Sequence, residues 1–277
     1  MLCQRRGKWW VATEGDPYIK LHNRIAMHLE LLPLLHKQRE LYAMPRSMAR
    51  FHTYLKEMKG DSTDDIEFAP LVMMNPMGKE HCLAAVERLI ELNAEDAGAQ
   101  AIAEAEPKFA DVPGAFKVSL VLADDRMGGW TNRAFSGFGI RVPSKDHLLK
   151  RPFITVPCWT SDVDTWTFDS LRRATLAQIA RVAHTMQHGT AKTLRQIMTQ
   201  EAKALAFAGE TAISLPDDEL AYVREVIAPH LDATDQPTVF ACLFGDEAAS
   251  EAGYPQLGLP KNAAIAAALA EVNSHPG

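Results

Sequence analysis

The sequence predicts an α+β fold in which a small central mixed sheet is surrounded by helices and preceded by a helical N-terminal part. Segments with a helical spacing of apolar residues dominate the chain, whereas segments typical of strands cluster in the middle and recur once near the end. A doubly wound parallel sheet would need strands and helices to alternate along the whole chain. Because that order is missing, the α+β class is favoured.

The first 60 residues are predicted to form helices. Apolar residues recur at spacings of three and four before Pro33 interrupts the pattern, at Tyr18, Leu21, Ile25, Leu29 and Leu32. A second amphipathic segment runs from Met48 to Met58, where Gly60 is suited to end the helix. We expect residues 61–277 to add an α/β core, so that residues 1–277 make a single domain.

Apolar runs in the core predict five strands and the helices around them. The strands are expected at residues 69–74, 116–123, 134–142, 152–158 and 238–244. Amphipathic patterns predict helices at residues 79–92, 169–188 and 190–208, and further helices near Pro216 and Pro260. Because three of the five strands fall in the middle of the chain, the sheet is expected to be small and central.

The composition is that of an ordinary globular protein with a core large enough to fold without disulfides. The chain has 277 residues, of which 47% are hydrophobic and 23% charged, and a formal net charge of -6. This charge provides no field that attracts nucleic acid or an anionic membrane surface, so we expect neither partner. Neither a leader segment nor a membrane-spanning stretch is recognised, which favours a cytoplasmic location. The four cysteines form no close pair, which predicts reduced thiols.

Two histidines and a glutamate form the first candidate site. His184 and His188 are four residues apart near the end of a predicted helix, and Glu201 follows on the next helix. Two imidazoles one helical turn apart, with a carboxylate one element later, are a suitable ligand set for a divalent metal. The helical projection places both histidines beside Arg173 and Arg181, and these charges oppose a cation. A surface or anion-binding role is therefore the alternative for the pair.

Glu201 is unusual because it projects into the apolar stripe of its helix. A carboxylate in that position must be paired, bound to a cation or protonated, because burying it alone is costly. A functional site is one explanation, and an internal ion pair with an arginine such as Arg172 is the other. The pattern departs from that of His-Glu-x-x-His zinc peptidases, since Thr185 stands where those enzymes carry their general base. That family is not assigned.

Polar residues at the ends of two predicted strands form the second candidate site. Asp124 and Asp125 follow one central strand, and Asp162 follows another. Strand ends are where many α/β proteins place their chemistry. The glycine-rich loop after Asp125 supplies a stacking face, an amide and an anion partner for a substrate, namely Trp130, Asn132 and Arg133. The alternative is a tight connection in which the acids cap backbone amides.

The turn from Asn75 to His81 leads into a predicted helix. Its free amides and Lys79 could hold a phosphate, but only Gly78 and Lys79 match the phosphate-loop pattern. A structural turn is therefore favoured there.

Together these features predict a metal-dependent or acid–base enzyme that acts on a small-molecule substrate near the carboxyl ends of the central strands. The expected metal ligands are His184, His188 and Glu201. The expected catalytic groups are Asp124, Asp125, Asp162 and Glu201. Hydrolysis by metal-activated water is the default chemistry, because the chain shows no dinucleotide fingerprint. A non-catalytic binding or assembly protein is the alternative, and the sequence favours no particular oligomeric state.

Overall fold

A three-stranded parallel sheet lies within a shell of helices in the computed structural model, which describes residues 2–5, 8–11, 26–60, 66–126, 131–210 and 213–274. Two N-terminal strands, β1 (Leu2–Arg5) and β2 (Lys8–Val11), form a separate antiparallel pair. The parallel sheet has the order β3 (His28–Leu31), β4 (Ala115–Ala123) and β5 (Phe153–Trp159). Strand β4 is therefore the central strand and pairs with a neighbour on each side.

Twelve α-helices accompany the sheet in the described part of the chain. They are α1 (Leu35–Ala43), α2 (Met48–Lys59), α3 (Glu80–Glu91), α4 (Ala94–Ala105), α5 (Arg133–Arg141), α6 (Lys145–Lys150), α7 (Phe168–His188), α8 (Leu194–Phe207), α9 (Asp217–Ile227), α10 (Gln236–Phe244), α11 (Asp246–Glu251) and α12 (Ala263–Ser274). Short 3-10 segments lie at Ala69–Met73, Glu106–Lys108, Thr160–Thr165 and Ala228–His230.

Strand β4 is buried on both faces. Val118, Leu120, Val121 and Leu122 are each at most 1% exposed, which explains the continuous apolar run of this central parallel strand. Helix α4 packs against β3, β4 and α7, while α7 also packs against β5. Asp124 follows directly on this buried strand, so a carboxylate stands at the end of the hydrophobic core.

A buried glutamine completes the open edge of β4. Strand β3 ends at Leu31, opposite Val118, so the last residues of β4 lack a strand partner on that side. Gln38 of α1 fills this position, because Nε2 donates to the Leu122 carbonyl at 3.1 Å and Oε1 accepts from the Leu122 amide at 2.8 Å. The side-chain amide thus replaces a strand backbone and fixes α1 beside the carboxyl end of β4.

Three of the predicted strands are wrong, since these segments are helical. Residues 69–74 contain a 3-10 segment. Residues 134–142 correspond to α5, and residues 238–244 belong to α10. Polar side chains begin both α-helices, because Asn132 accepts a hydrogen bond from the Phe135 amide and Asp235 accepts one from the Thr238 amide. A short buried helix and a buried strand have similar apolar composition, so the run alone does not separate them.

The predicted N-terminal helix is also wrong where the structure describes it. His28–Leu31 is strand β3 and pairs in parallel with β4, while residues 18–25 of that prediction lie outside the described residues. The partner strand lies far along the sequence, and a local spacing pattern carries no information about such a pairing. Helices α1 and α2 still make the described part of residues 33–60 mainly helical.

The α+β class, with a small sheet surrounded by helices, is confirmed. The sheet itself is parallel rather than mixed. Strands β4 and β5 and helices α2, α3, α7 and α8 match their predicted segments, with ends that differ by a few residues. Among the helices of the described ranges, none combines the length and the apolar composition that a membrane span requires.

Candidate functional site

The carboxyl edge of the sheet gathers polar side chains from three separate parts of the chain. Asp124 follows β4 and is 3% exposed, Thr160 follows β5, and His81 lies in the first turn of α3. Thr160 Oγ1 lies 3.2 Å from Asp124 Oδ1 and 3.0 Å from Asp125 Oδ1, so one hydroxyl links two neighbouring carboxylates. These groups meet because the carboxyl ends of parallel strands lie at the same edge of a sheet.

Three potential metal ligands converge at Asp124. His81 Nε2 is 2.9 Å from Asp124 Oδ1, and Cys82 Sγ is 3.4 Å from His81 Nε2. Among the described residues, these three side chains form a group whose ligand atoms all lie within 4.8 Å of one another. Cys82 is fully buried, whereas the His81 side chain is 24% exposed. The group could hold a metal ion, with His81 on its solvent side.

The separations of the ligand atoms can be compared with those around a tetrahedral zinc ion. Zinc–ligand bonds of about 2.0–2.3 Å imply distances of about 3.3–3.6 Å between neighbouring ligand atoms. The observed separations are 2.9 Å for His81 and Asp124, and 3.4 Å for Cys82 and His81. Cys82 Sγ and His81 Nε2 already have such a separation, whereas His81 Nε2 and Asp124 Oδ1 would have to move apart by a few tenths of an ångström.

Asp124 is held in its charged form. Burial raises the pKa of this carboxyl, but hydrogen bonds from His81 and Asn75 lower it, and the net pKa is below the ordinary value. Asn75 Nδ2 donates to Asp124 Oδ2 at 2.9 Å, while Asn75 Oδ1 accepts from the Met77 amide at 3.0 Å. Asn75 therefore orients an ionised carboxylate, which is the form that binds a cation.

The Tyr42 hydroxyl is a fourth polar group beside the cluster. It is buried, and Cys82 is the neighbouring polar side chain that interacts with it. Burial raises the pKa of Tyr42 well above its usual range, and the nearby Cys82 and Asp124 raise it further. The hydroxyl is therefore neutral.

The turn before α3 is fixed by an arginine and by a glycine. Arg50 is 3% exposed and donates from Nε to the Pro76 carbonyl at 2.7 Å and from Nη2 to the Gly78 carbonyl at 2.5 Å. A Cβ at Gly78 would lie 2.6 Å from Cys82 Sγ and 3.0 Å from the Tyr42 ring. A side chain therefore does not fit at position 78, and Cys82 is held in place.

The geometry does not suit a cysteine nucleophile. Cys82 Sγ and Asp124 Oδ1 both approach the same atom, His81 Nε2. A nucleophilic relay needs both ring nitrogens, one facing the thiol and the other facing the acid. Burial, together with Asp124, raises the pKa of Cys82 to about 12, which disfavours the free thiolate. Metal binding would reverse that preference, because a coordinating thiol is deprotonated.

The predicted catalytic acids Asp125 and Asp162 meet the predicted substrate contact Arg133. Arg133 Nη2 is 2.6 Å from Asp162 Oδ2, and Nη1 is 2.8 Å from Asp162 Oδ1. Asp125 accepts hydrogen bonds from the Ser161 amide at 2.9 Å and from the Ser161 hydroxyl at 2.6 Å. Asp125 thus caps a backbone amide of the segment after β5, as the amide-capping alternative expects, whereas Asp162 pairs with the Arg133 guanidinium.

The other two predicted substrate contacts have different outcomes. Asn132 accepts a hydrogen bond from the Phe135 amide at 3.0 Å, so it caps α5 while also lining a cleft. Trp130 lies outside the described residues.

Glu201 is fully buried in an ion pair with two arginines. Arg181 Nε is 2.5 Å from Oε1, and Arg141 Nη1 is 2.6 Å from Oε2. Burial raises the pKa of Glu201, but Arg181 and Arg141 lower it, and the net pKa is below the ordinary value. An internal ion pair is therefore present, but Arg172 is not the partner, since it pairs with Glu104 at 2.7 Å.

The predicted metal site of His184, His188 and Glu201 is not formed. The two imidazole rings lie side by side, with centroids 4.5 Å apart. Arg141 and Arg181 pair with the Glu201 carboxylate. Among the described residues, the group whose ligand atoms are close enough to share a metal ion is the one at Asp124. Burial, followed by the charges of His188 and Lys203, lowers the pKa of His184 to about 4. His184 is therefore neutral at pH 7 and lies in surroundings that oppose a cation.

Sequence reasoning missed His81 and Cys82. The turn before them matches no complete binding motif, and adjacent ligands lack the repeated spacing that marks a metal site in a sequence. A histidine next to a cysteine at the start of a helix, combined with Asp124 at the end of a strand, is the signal that could have identified them.

A cleft of about 930 Å³ adjoins the same edge of the sheet. Asp125 lines this cleft, whereas His81, Cys82 and Asp124 do not. Its wall includes residues of β5, α5 and α7, together with residues of the chain around α11. The site thus consists of a compact ligand cluster and a larger cleft. Asp124 belongs to the cluster, and its sequence neighbour Asp125 lines the cleft.

Comparison of the chain with protein-family models, with curated proteins and with solved structures finds no match.

Proposed function

We propose that this protein is a metal-dependent enzyme whose divalent ion is held by His81, Cys82 and Asp124. The observation that carries the proposal is the convergence of three different ligand types at one point, with ligand atoms within 4.8 Å of one another. An imidazole, a thiol and a carboxylate are the three side-chain ligands that zinc uses in proteins. Binding would also stabilise the Cys82 thiolate.

A catalytic role is favoured over a purely structural one by the number of ligands and by their location. Three protein ligands leave one position of a tetrahedral ion for water or substrate, whereas structural zinc sites fill all four. The partly exposed His81 supplies a route from solvent. The carboxyl edge of a parallel sheet is also the usual place for a ligand in α/β proteins.

The proposed chemistry is hydrolysis of a small-molecule substrate. A bound divalent ion acts as a Lewis acid and lowers the pKa of a bound water toward neutrality. Asp124 would neutralise part of the metal charge, and Thr160 would connect this ligand to Asp125 at the cleft. In this proposal Asp124 and Thr160 each have a role, and the reaction needs no organic cofactor.

Metal content tests the ligand set. Protein purified without an affinity tag and equilibrated with zinc is expected to retain about one ion per chain by elemental analysis. His81→Ala should lose the ion, whereas the double variant His184→Ala/His188→Ala should keep it and serves as the matched control. Loss of the ion only in the double variant would contradict the assignment.

An exogenous ligand tests whether the ion has an open position. Cobalt-substituted protein should change its visible spectrum on addition of azide, because azide can occupy a fourth position that protein ligands leave open. A closed four-ligand site, with Tyr42 as a ligand, would leave the spectrum unchanged. That result would favour a structural metal and count against the enzyme. Hydrolysis of nitrophenyl esters and phosphate esters by the zinc-loaded protein, abolished in Asp124→Asn, would support the proposed chemistry.

A further inference from the structure

We propose that the cleft binds a small organic anion, a carboxylate or a phosphate, at Arg141. This site is separate from the metal ligands and does not depend on them. Its basis is a buried cluster in which two arginines share a single carboxylate at the wall of the cleft.

The charges in this cluster do not cancel. Arg181 and Arg141 both contact Glu201, through ion pairs of 2.5 and 2.6 Å. Two positive charges against one negative charge leave a net charge of +1. Because the carboxylate is fully buried and the Arg181 side chain is only 9% exposed, water screens this excess poorly.

The remaining partners of the cluster are neutral. Arg181 Nη1 donates to Gln178 Oε1 at 3.1 Å, and Gln178 Nε2 donates to the Ile140 carbonyl at 3.0 Å. Gln200 Nε2 donates to the Arg141 carbonyl at 2.5 Å, which anchors the end of α5. These amides hold the arginines in position without neutralising their charge.

Arg141 is the member of the cluster that faces the cleft with unused donors. Among the described residues, its side-chain hydrogen bond is the one from Nη1 to Glu201, and its side chain is 22% exposed. Burial lowers the pKa of Arg141, Glu201 raises it, and Arg181 lowers it, with a net value below the ordinary one. An anion placed beside this guanidinium would compensate the excess charge and accept its free hydrogen bonds.

The rest of the cleft suits the body of a small organic molecule. Its volume of about 930 Å³ lies within the range of small-ligand pockets, and Trp159, Trp166 and Phe244 line it. Phe244 also lies under the Arg141 guanidinium, whose carbon is 5.8 Å from the ring centre. The exposed acids Glu247 and Glu251 line the α11 side, where water screens their charge. An aromatic or apolar group with one anionic end therefore matches the cleft.

Tryptophan fluorescence provides the test, because two tryptophans line the cleft. Phenylphosphate and phenylacetate are the probes, with phenethylammonium as the cationic counterpart, all at constant ionic strength. The wild-type protein should bind at least one anionic probe saturably and should not bind the cation comparably. The two anionic probes distinguish a phosphate site from a carboxylate site. Binding of neither anion, or equally tight binding of the cation, would overturn the proposal without any variant.

Variants that remove charges of opposite sign distinguish anion binding by Arg141 from a structural role of the ion pair. Arg141→Gln should weaken anion binding by about tenfold or more, because it removes the charge and the free donors. Glu201→Gln disturbs the same ion pair but leaves more positive charge, so a folded variant should bind the anion at least as tightly. Arg172→Gln, which alters an arginine paired with Glu104 outside the cleft, is the control and should bind normally.

Circular dichroism shows which variants are folded, and anion binding is compared among those variants. Unchanged binding in Arg141→Gln, or equal loss in Arg141→Gln and Glu201→Gln, would contradict the proposal. Anion binding should also survive metal removal by a chelator, which distinguishes a failure of the metal proposal from a failure of this one.

Discussion

His81 Nε2 and Asp124 Oδ1 lie 2.9 Å apart although 43 residues separate them along the chain. One comes from the start of a helix and the other from the end of the central strand. Two rigid elements therefore determine this contact, and Asn75 and Thr160 further restrict the carboxylate. A cation bound by both atoms would have to replace this hydrogen bond.

Gly78→Ala should destabilise the protein by about 1–3 kcal/mol, because the new Cβ would lie 2.6 Å from Cys82 Sγ. It should also weaken metal binding, since Cys82 must move. Gly139→Ala is the matched control, because a Cβ there meets nothing within 4 Å and alanine favours a helix. Urea unfolding checks both variants, and equal stability of the two would contradict the packing argument.

Gln38→Leu should destabilise the protein by about 1–3 kcal/mol for each backbone group of Leu122 that is left buried and unpaired. The substitution keeps the side-chain size but removes both hydrogen bonds to β4. Gln100→Leu is the control, since that exposed side chain bonds only to Glu104 and should change stability by less than about 0.5 kcal/mol. Equal unfolding midpoints for the two variants would show that the amide does not support the strand edge.

Arg181→Met should cost about 1.5–3 kcal/mol of stability, because it removes charged hydrogen bonds to the fully buried Glu201 while Arg141 still pairs with that carboxylate. Arg195→Met removes an exposed ion pair with Asp232, and the expected loss is at most about 1 kcal/mol. Denaturant titrations at neutral pH compare the two variants. A loss in Arg181→Met no larger than that in Arg195→Met would mean that the buried pair contributes little.

His184 should make stability depend on pH between about 6.5 and 4. Its pKa is lowered to about 4 in the folded protein from an ordinary value of 6.5, chiefly by burial. The unfolded chain therefore binds the proton first as the pH falls, and stability decreases through this window. His184→Gln should reduce that slope while changing the pH dependence above pH 7 little. Thermal melts from pH 8 to pH 4 provide the measurement, and identical slopes would contradict the assignment.

The parts of the fold that the sequence predicts are those with a strong local pattern. Strand β4 is an uninterrupted apolar run, and α7 and α8 have clear amphipathic spacing. The apolar content of α5 and α10 predicts strands, and it outweighs the signals of Asn132 and Asp235, which cap these helices. The four-residue β3 depends on a distant partner and has no reliable local pattern.

In the candidate site, too, local patterns predict some residues, whereas contacts between distant segments are not predicted. Asp124 was predicted because a carboxylate directly after a buried strand is a local signal, and Glu201 because it interrupts an apolar stripe. The fold determines what these acids meet, and it pairs Glu201 with Arg141 and Arg181. His81 comes into contact with Asp124 only through the arrangement of α3 and β4, which no local spacing encodes.

Cobalt substitution tests the proposed metal site most directly, because a thiolate–cobalt bond produces a near-ultraviolet charge-transfer band. The wild-type protein should show this band at about one cobalt per chain, and Cys82→Ser should lose it. Cys158→Ser, a change at another buried cysteine, should retain it. Absence of the band in the wild-type protein, or its persistence in folded Cys82→Ser, would contradict metal binding by His81, Cys82 and Asp124.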